Sequence, residues 1–156
     1  DWSSDVCSSD LAVRTWYENN HVAGLVKKEF LSQMIAEGKT LYFTSLMCPE
    51  ISDTILFGFS SAQLKWCEEH ESEGWSFFIE NKMLFNTDAS LYSKYLKEAP
   101  QSSGFPKEAP PRVGRWYGYL IVKEYMEKHQ EISLDQLIRD QNAVQILQGS
   151  GYKPNR

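Results

Sequence analysis

Helical periodicity in the first third of the chain is the feature that most constrains its fold. Between about Val22 and Phe43, apolar side chains recur with the 3.6-residue period of a helix and share one face. The residues on that face are Val26, Phe30, Met34 and Leu41. Alternating apolar and polar runs, which are typical of half-buried strands, are nearly absent from the whole sequence. We therefore predict a mainly α fold.

Capping and turn signals divide the rest of the sequence into further helices. Ser60 and Ser133 each open a Ser-x-x-Gln capping box, in which two side chains bond the backbone N–H groups of a helix start. Four prolines and one glycine exclude regular structure over Ala99–Pro111. The predicted elements are a connector over Met47–Phe59, a helix from Ser60 to about Phe85, a turn at Asn86–Asp88 that caps a helix to about Leu96, a loop over Ala99–Pro111, a helix from Arg112 to about Lys128 with Pro111 in its first turn, and short helices over Ser133 to about Ile138 and Asn142–Leu147.

Composition and charge exclude several classes of protein. The 156 residues are 42% hydrophobic, which suits one folded domain with a core and excludes a disordered chain. The formal net charge of −5 and the lack of a basic cluster exclude a nucleic-acid groove. No run approaches the roughly 20 apolar residues of a membrane span. Cys48 and Cys67 lack CxxC spacing, and the sequence leaves open whether they form a disulfide or simply pack.

Residues 1–11 differ from the sequence that follows them. They are rich in serine and aspartate, lack an apolar period, and match codon by codon the translation of a short-read sequencing adapter. We therefore interpret them as a translation artefact and expect residues 12–156 to be the C-terminal part of a longer helical domain. The three aspartates of the first segment account for three of the five net negative charges. The rest of the chain is therefore close to neutral.

Two glutamates fall within apolar helical faces. Glu37 lies within roughly 60° of the apolar stripe of the first helix, and Glu71 lies within about 40° of apolar residues of the second helix. Those flanking residues are Leu64, Cys67, Trp75 and Phe78. Burying a carboxylate costs several kcal/mol unless a cation, a metal or hydrogen-bond donors compensate it. We expect the two acids to face a common polar pocket, either as satisfied core acids or as a metal or catalytic site.

Three cations are candidate partners for these acids. Arg112 and Arg115 open the third long helix, and Lys39 lies close to Glu37 in sequence. An arginine guanidinium can give a carboxylate two parallel hydrogen bonds. We predict that Arg112 or Arg115 contacts Glu37 or Glu71. Replacing Glu71 by alanine should then strand a buried arginine and destabilise the fold by roughly 2–4 kcal/mol.

The other residues that could carry chemistry have ordinary structural interpretations. Gly114 and Gly118, on either side of Trp116, have GxxxG spacing, which in a soluble helix indicates close approach to another helix. The acids beside Glu71 are expected on a solvated face. The histidines lack HExxH spacing and are expected on the surface: His21, His70 and His129.

Six segments of the chain have the order and composition of the motifs of one family. They are Met34–Phe43, Phe57–Cys67, Glu71–Glu80, Leu84–Asp88, Pro111–Met126 and Tyr152–Pro154. They resemble the MIxEGKxLYF, GYTxEQLxWC, ExxxWxxFIE, LYSTD, PGRVGRWIGxxIVxxYM and YKP segments of the gliding-motility lipoprotein GldB family. The resemblance covers about Val22 to Arg156. The residues of interest within these motifs are Glu37, Gly38, Lys39, Glu71, Arg112, Gly114, Arg115, Trp116 and Gly118.

The resemblance implies a lipid-anchored periplasmic protein of the cell envelope that is required for surface gliding in Bacteroidetes-type Gram-negative bacteria. It also implies a link to type IX secretion, partners among other gliding-motility envelope proteins, no nucleic-acid partner, and contact with the membrane only through a lipid anchor outside this sequence. The family is similar to predicted zinc metallopeptidases, in which an HExxH helix precedes a helix with a ligand glutamate. Glu37 would be that ligand if an HExxH helix lay before Ala12.

Three functions therefore remain as hypotheses. The leading one is a non-catalytic component of gliding motility on a zincin-like helical scaffold without its N-terminal part, with no cofactor in this chain. The second is a zinc metallopeptidase whose HExxH helix is lost by truncation, with Glu37 as a zinc ligand and Glu71 or Arg115 in the cleft. Three protein ligands are the usual minimum for catalytic zinc, and only Glu37 is a candidate here. The third is a helical protein-interaction module whose buried acids only specify packing.

Overall fold

The computed structural model of the chain describes residues 12, 14–17, 19, 26–97 and 102–154. A helical stretch at residues 14–17 precedes the longer elements. These are α1 (Phe30–Met47), α2 (Asp53–Phe57), α3 (Ser61–Glu69), α4 (Glu71–Glu80), α5 (Ala89–Tyr95), α6 (Val113–Lys128), α7 (Leu134–Arg139) and α8 (Ala143–Ser150). No strand occurs within the described residues, and the predicted mainly α fold is confirmed.

Helices α1 and α6 form the centre of the fold and cross at two glycines. A Cβ atom on Gly38 would overlap the backbone carbonyl group of Gly118, and one on Gly118 would overlap the carbonyl oxygen of Met34. The two backbones therefore touch where neither residue has a side chain. Gly114, one turn earlier on α6, lies against Leu96 at the end of α5. The close approach predicted from the GxxxG spacing is confirmed.

The first helix begins later than the sequence suggested. Its predicted start at Val22 lies outside the described residues, and residues 26–29 are not helical. The N–H groups of Phe30 and Leu31 instead donate to the carbonyl oxygens of Asn86 and Leu84, at 2.9 and 2.8 Å. These bonds satisfy the first turn of α1 from a neighbouring loop, so the helix does not need to continue toward the N-terminus. Its last residue is Met47, beyond the predicted Phe43.

The predicted helix from Ser60 to Phe85 is two helices. Ser60 does form the predicted capping box with Gln63, and α3 then ends at Glu69. His70 has φ −119° and ψ 23°, which breaks the helix before α4 begins at Glu71. Helix α4 ends at Glu80, followed by Lys82 with a positive φ of 54°. The residue pattern did not reveal this break because it contains neither proline nor glycine.

Two further predicted boundaries are wrong. The connector over Met47–Phe59 contains the short helix α2. Arg112 has φ +60° and precedes α6 as its N-cap, so the helix begins at Val113 and Pro111 lies outside its first turn. The predicted caps are confirmed at Asp88 and Ser133. The last predicted helix begins one residue later than expected, at Ala143, with Asn142 as its N-cap.

The core is rich in aromatic rings that several helices contribute. Phe78 is fully buried and lies within 5.9 Å of five other rings, measured between centroids. Those rings belong to Phe30, Phe77, Tyr95, Phe105 and Tyr117. Cys67 packs in this core and Cys48 is half-buried, and both are free thiols, so the packing alternative holds for Cys67. No helix in the described part of the chain has the length and apolar character needed to cross a membrane.

Candidate functional site

Glu37 is the centre of a charged cluster between α1 and α6. Its Oε2 atom lies 2.9 Å from Nη2 of Arg14 and 3.3 Å from Nε of Arg115. The hydroxyl of Tyr92 donates to the other carboxylate oxygen, Oε1, at 3.3 Å. Two guanidinium groups and a hydroxyl therefore surround one carboxylate. We call these four residues the Glu37 centre.

The Glu37 centre is largely removed from water. The side chain of Arg115 is 2% exposed and that of Glu37 is 13% exposed. A charge at such depth is tolerated only with an opposite charge and hydrogen bonds beside it. The prediction that Arg112 or Arg115 contacts one of the two buried acids is confirmed for Arg115 and Glu37.

Sequence reasoning missed the other two members of this centre. Arg14 lies in the helical stretch at residues 14–17, and Tyr92 lies on α5. Neither is near Glu37 in sequence, and no spacing pattern joins them. The one signal in the sequence was a carboxylate inside an apolar stripe, because such a group requires hydrogen-bond donors from elsewhere in the fold.

Glu71 lies in a separate polar site made with tyrosines. Its side chain is buried, and Oε1 accepts a hydrogen bond of 2.7 Å from the hydroxyl of Tyr152. The hydroxyl of Tyr117 donates to the backbone oxygen of Glu71 at 2.8 Å. Burial, and then the bond to the Glu71 carboxylate, raises the pKa of Tyr152 well above its ordinary value. Burial has the same effect on the pKa of Tyr117.

The two acids do not share one pocket, which corrects the sequence prediction. Glu37 meets Arg115, and Glu71 meets Tyr117, although both partners lie on α6. Residues two apart on a helix point about 200° from each other, so the acids lie against opposite sides of α6. Both acids do face inward, as predicted, but with different chemistry. The helix phase was right, and the inference of a common pocket was wrong because α6 stands between them.

The other predicted cations have different partners. Lys39 is 6% exposed, and its ammonium group donates to the backbone oxygen of Asp140 at the end of α7. Burial lowers the pKa of Lys39 to about 8, although the charge of Asp140 acts in the opposite direction. The guanidinium group of Arg112 lies against Gly58, and a Cβ atom on that glycine would be 2.9 Å from Nη2 of Arg112.

A cleft of about 560 Å³ lies beside Glu71. Its apolar surface includes Trp116 and Tyr119 of α6 and Phe57 of α2. Of the residues singled out within the family motifs, Glu71 and Trp116 border this cleft. The remaining lining residues are Asp53, Glu68, Leu120, Lys123, Glu124, Glu127, Lys128, Tyr152 and Lys153.

The histidines within the described residues form structural contacts. His70 stacks on Trp66 with ring centroids 4.7 Å apart, and His129 lies 3.1 Å from the carbonyl oxygen of Gly149 through Nε2. Both are half-buried, so the expectation of surface histidines is only partly correct, and His21 lies outside the described residues. Among the residues that the structure describes, no three His, Cys, Asp or Glu side chains are grouped to hold a metal ion.

The family model described as gliding motility protein GldB matches residues 10–154, which is nearly the whole chain. No curated protein and no solved structure matches the sequence. The matched range contains both buried acids and all their partners named above.

Proposed function

The chain belongs to the gliding motility protein GldB family, and we propose that it acts in gliding as a non-catalytic component of the bacterial cell envelope. In this proposal the protein is lipid-anchored on the periplasmic side of a Gram-negative, Bacteroidetes-type bacterium. It acts with other gliding-motility envelope proteins that are linked to type IX secretion. Its helical scaffold is related to that of zinc peptidases but serves to hold a binding surface. The family resemblance supports the cellular role, and the geometry of Glu37 supports the absence of catalysis.

One observation carries the non-catalytic part of the proposal. Glu37, the residue in the position of a zinc ligand, directs its carboxylate toward two guanidinium groups and a tyrosine hydroxyl. A zinc ligand must present an oxygen lone pair to a divalent cation at about 2.0–2.2 Å. Arg14 and Arg115 already occupy the space around Oε2, and their positive charges would repel such a cation at close range. The carboxylate is therefore suited to join helices.

The Glu37 centre has a clear structural task. Arg115 belongs to α6, Glu37 to α1 and Tyr92 to α5, so three helices meet at one carboxylate. Bonds of this kind require a particular geometry, whereas apolar contacts tolerate sliding. We infer that the centre fixes the register in which α6 crosses α1 at Gly38 and Gly118, and thereby fixes the shape of the cleft on the other side of α6.

A compensated replacement separates a structural from a catalytic role. In cells whose gliding requires this gene, Glu37→Met alone should abolish gliding, because it strands the deeply buried Arg115 and unfolds the protein. Adding Arg115→Met should restore folded protein and gliding together, since a buried ion pair can often be replaced by apolar residues of similar volume. Arg14 is 21% exposed and can turn toward water in both variants.

The readouts are the spreading rate of colonies and the amount of protease-resistant protein in the envelope fraction. Spreading of the double variant at close to the wild-type rate supports the proposal. Protease-resistant double variant in cells that do not glide would contradict it, because Glu37 would then be needed for chemistry that methionine cannot supply.

A further inference from the structure

Carboxylates outnumber lysines among the side chains that line the cleft beside Glu71, by five to three. Asp53 is on α2, Glu68 is on α3 and Glu71 begins α4. On α6, which carries the other two carboxylates, Lys128 and Glu124 form an ion pair at 3.0 Å and offset each other. In the described ranges, Asp53 and Glu68 form no ion pair with another residue. The cleft lining therefore keeps a net negative charge available to a ligand.

Aromatic and apolar groups line the same cleft. Trp116 and Tyr119 of α6 and Phe57 of α2 line the cleft, and Tyr152 stands beside Glu71. Aromatic faces attract cations, and a guanidinium group both stacks on such faces and bonds carboxylates in a planar fork. A surface that combines aromatic rings with carboxylates is therefore suited to a basic side chain.

The shape of the cleft favours a polypeptide over a metal ion. Its volume of about 560 Å³ is within the range of sites that hold organic ligands, and far larger than a single ion needs. The acids along it come from four different helices, and the described residues contain no group of three potential ligands close enough to hold one metal ion. Carboxylates spread along an aromatic cleft match a chain segment with a basic side chain.

We propose that this cleft binds an arginine- or lysine-containing segment of a partner protein. The basic side chain lies over Trp116 and Tyr119, and its charged end meets Glu71 and Glu68. Glu71 is the residue that holds the charged end of the ligand most firmly. It is only 8% exposed, and the hydroxyl of Tyr152 already fixes the orientation of its carboxylate. The inference deepens the proposed function by giving the chemistry of the partner, and it rests on that function only for where the partner is found.

The test uses the purified whole chain and the probe peptide acetyl-Gly-Arg-Gly-amide, followed by NMR. The peptide should shift the indole N–H signal of Trp116 in a saturable way, and added salt should weaken the effect. The same peptide with citrulline, which has the shape of arginine without its charge, should bind about tenfold more weakly. An equal response to both peptides would overturn the proposal.

Two variants and a control locate the effect. Glu71→Gln keeps an oxygen for Tyr152 to donate to, so it should leave the fold intact while weakening the arginine peptide by about tenfold. Lys123→Glu removes a positive charge from the cleft and should tighten binding several-fold. Glu69→Gln, on an exposed residue that pairs with Lys65 away from the cleft, should change nothing.

Several outcomes would overturn the proposal. They are unchanged binding in the Glu71 variant, weaker binding in the Lys123 variant, or self-association of the chain through the cleft, detected by sedimentation. Since none of these readouts involves motility, failure here leaves the proposed role in gliding standing. Conversely, if the motility experiment failed, the peptide-binding measurements would still establish the binding site.

Discussion

At the scale of single residues, the two inward-facing acids differ in how much they contribute to the stability of the fold. Glu71 accepts a hydrogen bond from the hydroxyl of Tyr152, while the partners of Glu37 include the almost fully buried guanidinium of Arg115. A stranded hydroxyl that can reach water costs less than a stranded buried charge. The sequence alone could place both acids inside the fold, but it could not assign their partners.

This difference revises the effect expected for Glu71. Replacing it by alanine should destabilise the protein by about 1–2 kcal/mol, below the roughly 2–4 kcal/mol expected for a stranded arginine. Tyr152→Phe should cost a similar amount, and the two changes together should cost little more than either one, because they remove the same bond. Urea unfolding monitored by circular dichroism gives all three values. Full additivity would show that the Tyr152–Glu71 bond contributes nothing.

Lys39 makes the stability of the protein depend on alkaline pH. In the folded protein burial lowers its pKa to about 8, whereas an unfolded lysine titrates near its ordinary value of 10.5. Between about pH 8 and pH 9 the unfolded chain holds more protons, so the free energy of unfolding should rise over this interval. From about pH 9 the thiol of Cys67 offsets the rise, because burial raises its pKa from 9.0 to about 12 and the folded state retains its proton. Above about pH 10 the free energy of unfolding should fall, because burial also raises the pKa values of Tyr17, Tyr117 and Tyr152.

The Lys39→Met variant is the control for this effect. It lacks the titrating ammonium group, so its stability should not rise between about pH 8 and pH 9. Its stability should instead fall from about pH 9 upward, as Cys67 and then the tyrosines of the unfolded chain ionise. Urea unfolding at a series of pH values measures both slopes. A wild-type protein that loses stability steadily above about pH 8 would contradict the assignment of a buried, charged Lys39.

At the scale of elements, the contact between α1 and α6 depends on the absence of two side chains. A methyl group on Gly118 would overlap the carbonyl oxygen of Met34, and backbone atoms cannot turn aside as a flexible side chain can. Gly118→Ala should therefore force the helices apart and destabilise the protein by about 3 kcal/mol. Helix propensity alone predicts the opposite sign, a gain of about 1 kcal/mol. The sign of the change in unfolding free energy decides between the two effects.

The helices were predictable from sequence where local signals control them. Ser60 and Ser133 cap their helices through bonds within four residues, and these positions were correct. The start of α1 was wrong because Leu84 and Asn86, more than fifty positions away, satisfy its first turn. The break at His70 was missed for a related reason, since nothing in its local sequence requires one. Boundaries that tertiary contacts set cannot be read from periodicity.

The whole molecule combines a buried polar centre on one side of α6 with an open cleft on the other. The sequence predicted the inward acids and the close helix crossing, but it merged two sites into one because the position of α6 between them was unknown. Phe30 and Met34, which the sequence placed on the apolar face of the first helix, are fully buried within the described residues. The central claim is that the Glu37 centre is an ion-paired structural unit.

A double-mutant cycle on Glu37 and Arg115 tests this claim most directly. The unfolding free energies of wild type, Glu37→Gln, Arg115→Gln and the double variant give the coupling energy of the pair. A coupling of about 2 kcal/mol or more is predicted, while the same cycle on the exposed pair Lys65–Glu69 should give less than about 0.5 kcal/mol. A Glu37–Arg115 coupling as small as that of the exposed pair would contradict the account.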